Sequence, residues 1–154
     1  MSDRVKALGK DIIEKSFPVL SGKKIHFIIF PFKFFALSFW IPLVARVVIV
    51  STRTRYLKDE VLTGILVHEL CHQERYIQMG VGRYLLFVAG YIFSNKARTS
   101  EERATDKLTI EKGYGRNLYE LTLISHRDEN HKSILDNYLT PDEIKTYAQS
   151  IGKW

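Results

Sequence analysis

The residues best suited to chemistry lie together in the stretch VHELCH, residues 67–72. Apolar residues and both histidines recur there at intervals of three and four, which predicts an amphipathic helix: Leu57, Val61, Ile65, His68 and His72. Residues four apart lie on one helix face, so the two histidines can bind the same metal ion. Zn²⁺ suits imidazole nitrogens, and two such ligands leave room for a third ligand and a water. Glu69 could act on that water as a general base.

The alternative is that these are ordinary helical residues that bind no metal. The pattern H-E-x-x-H also arises by chance, and a single histidine on a helix needs no metal. Here the two histidines share the face that Val61 and Ile65 mark as buried. Two imidazoles and a carboxylate without partners would be costly on a buried face, so the pattern favours a metal site.

A third protein ligand is expected downstream, in the acidic stretch SEERATDK, residues 100–107. Both Glu101 and Glu102 qualify as ligands. Acidic residues in the first turn after an N-cap at Thr99 or Ser100 also complement the helix dipole without any metal. Judged on the residues of this stretch alone, the reading without a metal is the stronger one.

HELCH followed by ERATD, residues 102–106, resembles the gluzincin metallopeptidases, in which a helical E-x-x-x-D glutamate completes the zinc site. The form E-x-A-x-D is similar to the peptidase domains of integral-membrane antibiotic-sensing receptors, and other membrane peptidases and small soluble minimal gluzincins share it. The resemblance covers residues 46 to about 113 and departs at Thr105, where many relatives have alanine. It implies that the zinc ligands are His68, His72 and Glu102. It also implies that Asp106, outside the ligand set, orients a ligand imidazole.

The resemblance further implies a zinc-dependent endopeptidase that hydrolyses peptide or protein substrates, with Glu69 as the general base. Adjacent helical residues diverge by about 100°, so Glu101 is then expected to point outward. An oxyanion-stabilising residue would come from downstream, where Tyr114, Tyr119, His126 and His131 all remain open. The segment 46–52 resembles the edge strand on which gluzincins align an extended substrate.

The chain as a whole predicts an α+β fold. Strands are expected at 24–30, 46–52 and about 34–40, and helices at 56–78, ending before Gly80, and at 81–95. Further helices are expected from Thr99 or Ser100 to about 112, and after Thr140 with a capping box. The expected architecture is a small mixed sheet packed on the HELCH helix and the glutamate helix, a zincin-like core with extra C-terminal helices. One domain, 1–154, would comprise a core of about 46–113 and a C-terminal extension of about 114–154.

Composition narrows the function classes. With 45% hydrophobic residues in 154, the chain can bury a core. The formal charge of +6 comes from scattered cations without a nucleic-acid signature, so nucleic acid is not an expected partner. The single cysteine, Cys71, excludes an internal disulfide and fits a reducing compartment.

The localisation expected from the sequence is cytoplasmic. Charges interrupt every apolar run near the N-terminus, which argues against a signal peptide. The apolar stretch 25–50 favours buried strands, although a membrane-adhering surface remains an alternative. The rival function is accordingly a non-catalytic, zinc-stabilised binding module at a membrane surface or a protein partner. The sequence leaves the oligomeric state open.

Overall fold

The computed structural model describes residues 1–154. It confirms an α+β fold in which a three-stranded mixed sheet packs on helices. The strands are β1 (Ile25–Phe30), β2 (Ala36–Ile41) and β3 (Ala45–Ser51). The helices are α1 (Ser2–Ser16), α2 (Asp59–Phe93), α3 (Asn95–Thr109), α4 (Gly115–Arg127) and α5 (Pro141–Ser150). The division into a core and an extension stays a prediction.

The sheet has the strand order β1-β3-β2, with β1 parallel and β2 antiparallel to β3. The expectation that 46–52 forms an edge strand is therefore wrong, because β3 lies between the other two strands. Its hydrogen-bonding groups are used on both sides by those neighbours. The free edges belong to β1 and β2, and β2 is the edge strand that contacts α2.

The two faces of the sheet differ in what covers them. Phe27, Val48 and Val50 point inward and join the main hydrophobic core with residues of α1 and α2. Side chains that alternate with them point to the outer face, where Ile28 and Leu37 remain exposed. The core therefore lies on one side of the sheet only.

Helix α2 consists of two helical halves that meet at Gly80, where φ is 70° and ψ is 172°. This confirms the predicted helix break, because only glycine adopts that backbone region readily. The first half carries HELCH and is almost entirely buried. A Cβ at Gly64 would lie 2.5 Å from the Asn117 carbonyl oxygen, so this glycine allows α4 to pack closely on α2.

Helix α3 begins earlier than the sequence predicts. Its N-cap is Ser94, whose hydroxyl accepts a hydrogen bond from the Ala97 amide at 3.2 Å. The expected N-caps were wrong because Thr99 and Ser100 lie inside the helix, and the Thr99 hydroxyl donates to the Asn95 carbonyl. The helix ends at Thr109 and continues as a π-helical turn to Tyr114.

The C-terminal part packs around a smaller apolar cluster formed by α4, α5, Leu139 between them and Ile110 in the π-helical turn before α4. Helix α5 has the predicted capping box: Thr140 accepts from the Glu143 amide, and the Glu143 carboxylate accepts from the Thr140 amide. Between the two helices, a short 3₁₀ helix at Lys132–Asn137 contacts α3 and α4.

None of the helices is, by itself, both long enough and apolar enough to cross a membrane. Helix α2 and the helical stretch Asn95–Arg127 have the required length and apolarity only when taken together, and the two are bent by 115° relative to each other.

Candidate metal site

Three potential metal ligands from two helices converge on one point. His68 and His72 project from the first half of α2, and Glu102 projects toward them from α3. Oε2 of Glu102 lies 3.1 Å from Nε2 of His68 and 3.3 Å from Nε2 of His72. All three side chains are buried, and their donor atoms lie within 4.8 Å of one another. These residues could hold a metal ion.

The spacing of these donors fits a small cation. Ligands about 2.0–2.1 Å from a tetrahedral ion lie about 3.3 Å from each other, which is close to the two observed distances. The donor set of two imidazoles and one carboxylate is a combination that divalent transition metals accept. The two distances that involve Glu102 and the donor types therefore suit such an ion.

The electrostatics of the site are dominated by the histidines and the carboxylate. Burial alone would lower the pKa of His72, but the charge of Glu102 and contacts with Glu101 and Glu102 outweigh it and raise that pKa to about 9. The pKa of His68 is raised well above its ordinary value, with Asp106 and Glu102 outweighing burial. Burial opposes ionisation of Glu102, yet the two histidines hold its pKa far below the usual range. Positive charge at this point is therefore strongly favoured.

The second ring nitrogen of each histidine also has a partner. Oδ1 of Asp106 lies 3.0 Å from Nδ1 of His68, and its Oδ2 accepts a hydrogen bond from the Leu139 amide at 2.9 Å. The Thr105 hydroxyl lies 3.2 Å from Nδ1 of His72. With these neighbours at Nδ1, Nε2 of each ring faces the shared point. The Asp106 carboxylate is close to His68, but Oδ1 is not aligned for a hydrogen bond with it.

Glu101 does not point outward as expected. It is only 5% exposed, and its carboxylate accepts hydrogen bonds of 2.8 and 2.7 Å from the Arg75 guanidinium. Its Oε1 also lies 3.4 Å from Nδ1 of His72. The expectation assumed that only one of two adjacent helical residues can face α2. Glu101 and Glu102 diverge by about 100° on α3, yet α2 contacts both of them, Glu102 through the histidines and Glu101 through Arg75, three residues after His72.

Glu69 lies beside the cluster, 8% exposed, and burial raises the pKa of its carboxyl group. It lines a cavity of about 270 Å³ together with His68 and Asp106. The walls of this cavity come from the start of β2, from α2 and α4, and from the segment after α4. The C-terminal part of the chain therefore forms one side of the space in front of Glu69.

Two tyrosines near the site were missed by the sequence analysis. The Tyr91 hydroxyl, from the second half of α2, donates to Oε1 of Glu102, the oxygen that faces away from the histidines. The Tyr138 ring lies 5.8 Å from the His68 ring, centre to centre, and lines the cavity. Neither residue belongs to a recognisable motif, so no signal in the sequence could have found them.

The four downstream residues considered for oxyanion stabilisation separate into two pairs. His126 and His131 line the cavity, and Nδ1 of His131 lies 3.0 Å from Asp128. Tyr114 instead bonds the Ser16 hydroxyl on α1, and Tyr119 packs against Trp154. The structure thus places the two tyrosines away from the site.

In comparisons with known proteins, no family model, curated protein or solved structure matches this chain. What is known of the site therefore comes from its own geometry: a buried cluster of two histidines and one glutamate that could hold a metal ion.

Proposed function

We propose that the protein is a zinc-dependent peptidase of the gluzincin type. The observation that carries this proposal is the convergence of His68, His72 and Glu102 on one point, with Glu69 beside them at a cavity. A purely structural metal site has no use for a buried carboxylate in that position. The proposed ligands are the two Nε2 atoms and Oε2 of Glu102.

Each residue has a defined part in this proposal. A bound zinc ion would act as a Lewis acid and lower the pKa of a water ligand. Glu69 accepts a proton from the attacking water and delivers it to the leaving amine, a role that suits a carboxyl group whose pKa burial has raised. Asp106 orients His68, while Glu101 and Thr105 orient His72.

The substrate is proposed to lie along β2. This strand has a free edge, and Ala36 and Leu37 at its start line the cavity beside His68. An extended peptide can add to such an edge through main-chain hydrogen bonds. Tyr138 is the proposed donor to the oxyanion, since its ring lies closest to His68 among the aromatic residues outside α2.

The test combines metal analysis with cleavage of a mixed peptide library. We expect about one zinc per chain, and we expect Glu69→Gln to keep the zinc and the fold while losing cleavage, because an amide cannot take the proton. Glu129→Gln, an exposed carboxylate outside the cavity, is the matched control and should cleave normally. Undiminished cleavage by Glu69→Gln would refute the catalytic role, and loss of its zinc would make Glu69 a ligand instead.

The second candidate is a non-catalytic zinc-stabilised module. It is favoured by the burial of His68 and Glu69, which are 6% and 8% exposed beneath the C-terminal segment. A structural site would saturate its coordination with protein atoms. Stoichiometric zinc without cleavage, together with unfolding on chelation, would support this alternative over the peptidase.

A further inference from the structure

The charged residues are strongly segregated along the chain. Residues 15–58 contain eight Lys or Arg and residues 75–100 contain four, while neither stretch contains an Asp or Glu. These two stretches, here called the cationic segments, thus hold 12 of the 23 Lys and Arg and none of the 17 acids. The rest of the chain, with 11 cations and 17 acids, is net negative. The overall charge of +6 is therefore distributed unevenly along the chain, with the positive charge concentrated in the cationic segments.

The cationic segments also carry the exposed apolar surface. Every exposed large apolar side chain except Ile151 belongs to one of them. Apart from Tyr56, which is 88% exposed, the most exposed are residues of the β2–β3 turn and of the second half of α2: Leu43 98%, Phe93 87%, Val44 77% and Leu86 76%. Positive charge and exposed apolar surface thus occur in the same stretches of sequence. Three of the 12 cations form ion pairs with acids from elsewhere in the chain, which are Lys15 with Asp11, Arg53 with Asp128 and Arg75 with Glu101. The other nine form no ion pair.

The second half of α2 is apolar on its outer face, where a surface helix is normally polar. Its inner face packs through aromatic rings, which are Tyr84, Phe87 and Tyr91. Its outer face bears no charge after Arg83 and is apolar throughout: Leu85, Leu86, Ala89, Ile92 and Phe93. A helix face exposed to water is normally polar, so this face is suited to an apolar surrounding.

The turn between β2 and β3 lies next to this helix. The Tyr84 hydroxyl accepts a hydrogen bond of 2.9 Å from the Trp40 amide, and the two rings are 5.0 Å apart. Leu43, three residues beyond Trp40, has φ of 65°. A leucine in this left-handed region is strained, and at 98% exposure no contact within the chain compensates for it. The side chain is held out where an external apolar phase can receive it.

We propose that this surface docks on an anionic phospholipid bilayer. The outer face of the second half of α2 and the turn residues Leu43 and Val44 enter the headgroup boundary, while Arg83, Lys96 and neighbouring cations contact the phosphates. Aliphatic residues without acids favour lipid over nucleic acid, which binds through cations and stacking rings. This inference does not depend on the proposed peptidase activity. Tyr91, which bonds Glu102, lies on the inner face of this helix, so the metal site and the docking face lie on opposite sides of it.

The test is sedimentation of the full chain with vesicles of phosphatidylcholine, with and without phosphatidylglycerol. We expect binding only to the anionic vesicles and release by salt. Leu43→Asn and Leu86→Ser should each weaken binding about tenfold, since each removes an inserted apolar side chain. Arg83→Gln should weaken it about fivefold. Asparagine tolerates the left-handed backbone, so Leu43→Asn should not lower the unfolding temperature, which separates docking from folding.

Matched controls come from outside the cationic segments. Ile151→Ser removes the one exposed large apolar residue elsewhere, and Lys153→Gln removes an exposed cation elsewhere; both should bind vesicles normally. Glu69→Gln should also bind normally, because docking does not require catalysis. Absence of binding to anionic vesicles, or equal losses in the controls, would overturn the proposal. So would self-association that Leu43→Asn abolishes, or tighter binding to an oligonucleotide than to vesicles.

Discussion

Each of the three proposed ligands is also held from its far side. The supporting contacts are Asp106 for His68, Thr105 and Glu101 for His72, and Tyr91 for Glu102. Such outer contacts orient ligands before a metal arrives, and their loss typically lowers affinity about 10–100-fold. The two acidic neighbours on α3 therefore differ in their role, since one faces the shared point and the other supports a ligand.

Substitutions at these two glutamates should separate the roles. We expect Glu102→Ala to abolish tight zinc binding, as His68→Ala should, because each removes one of three protein donors. Glu101→Ala should lower affinity by about 10–100-fold, since it removes support from His72 and leaves Arg75 unpaired. Competition with a chromophoric zinc chelator measures both effects. His126→Ala, at the cavity but outside the donor cluster, is the control. A silent Glu102→Ala would remove this residue from the ligand set.

Tyr91→Phe should weaken zinc binding about tenfold and leave the fold intact. The substitution removes only the hydroxyl that holds Oε1 of Glu102, so the carboxylate can rotate away from the histidines. The same chelator competition applies. Tyr119→Phe, on a tyrosine that packs against Trp154 instead, should bind zinc normally. Equal affinity in the two variants would show that the Tyr91 hydroxyl does not position Glu102.

At the scale of elements, α2 has the largest part in shaping the molecule. Its first half carries the two histidines into the core, and its second half carries Tyr91 back to the site. The break at Gly80 allows both, since a straight helix would carry Tyr91 away from Glu102. The backbone at this one residue thus determines whether the site is complete.

The conformation of Gly80 predicts a position-specific effect of alanine. Gly80→Ala should destabilise the protein by about 1–3 kcal/mol, because φ of 70° with ψ of 172° is accessible essentially only to glycine. Gly82→Ala, two residues further on in regular helix and equally free of neighbours, should stabilise it by about 0.4–1 kcal/mol. Urea denaturation of both variants measures the difference. Equal effects of the two substitutions would contradict a glycine-dependent break.

At the scale of the whole molecule, protonation should link stability to metal binding. Because the pKa of His72 is raised to about 9, its proton stabilises the zinc-free fold. That stabilisation is fully present below the ordinary value of about 6.5 and is lost as pH rises through 9. Zinc requires the neutral imidazole, so its affinity should rise over the same range, by up to about tenfold per pH unit for each proton displaced.

Two measurements check these opposite slopes. Denaturation of chelator-treated protein should show a free energy of unfolding that falls between pH 6.5 and 9. Calorimetric zinc titration in buffers of different ionisation enthalpy should detect released protons. His72→Gln, which keeps a polar side chain without this titration, should reduce the first slope and leave the contribution of His68, whose pKa is also raised. Zinc binding without proton release would mean that the histidines are already neutral.

The sequence by itself determined those features that depend on neighbours along the chain. Periodicity predicted the helix that carries HELCH and its end near Gly80. The enrichment of Ile, Val and Phe in an apolar stretch predicted all three strands. The capping box at Thr140 and Glu143 was also predicted correctly, because its hydrogen bonds join residues only three apart. Each of these depends on local backbone preferences that short stretches of residues express directly.

Only the tertiary structure decided which surfaces meet. It placed β3 in the centre of the sheet, turned Glu101 toward Arg75, and brought Tyr91 to Glu102. The position of β3 depends on its pairing with β1 and β2. The two side-chain contacts depend on how α3 packs against the two halves of α2. Periodicity locates helix ends only to within a few residues. The resemblance of ERATD to the gluzincin motif predicted that Glu102 faces the histidines, and the structure brings these three residues together. Only the packing of α3 against α2 decided that Glu101 also faces inward, toward His72 and Arg75.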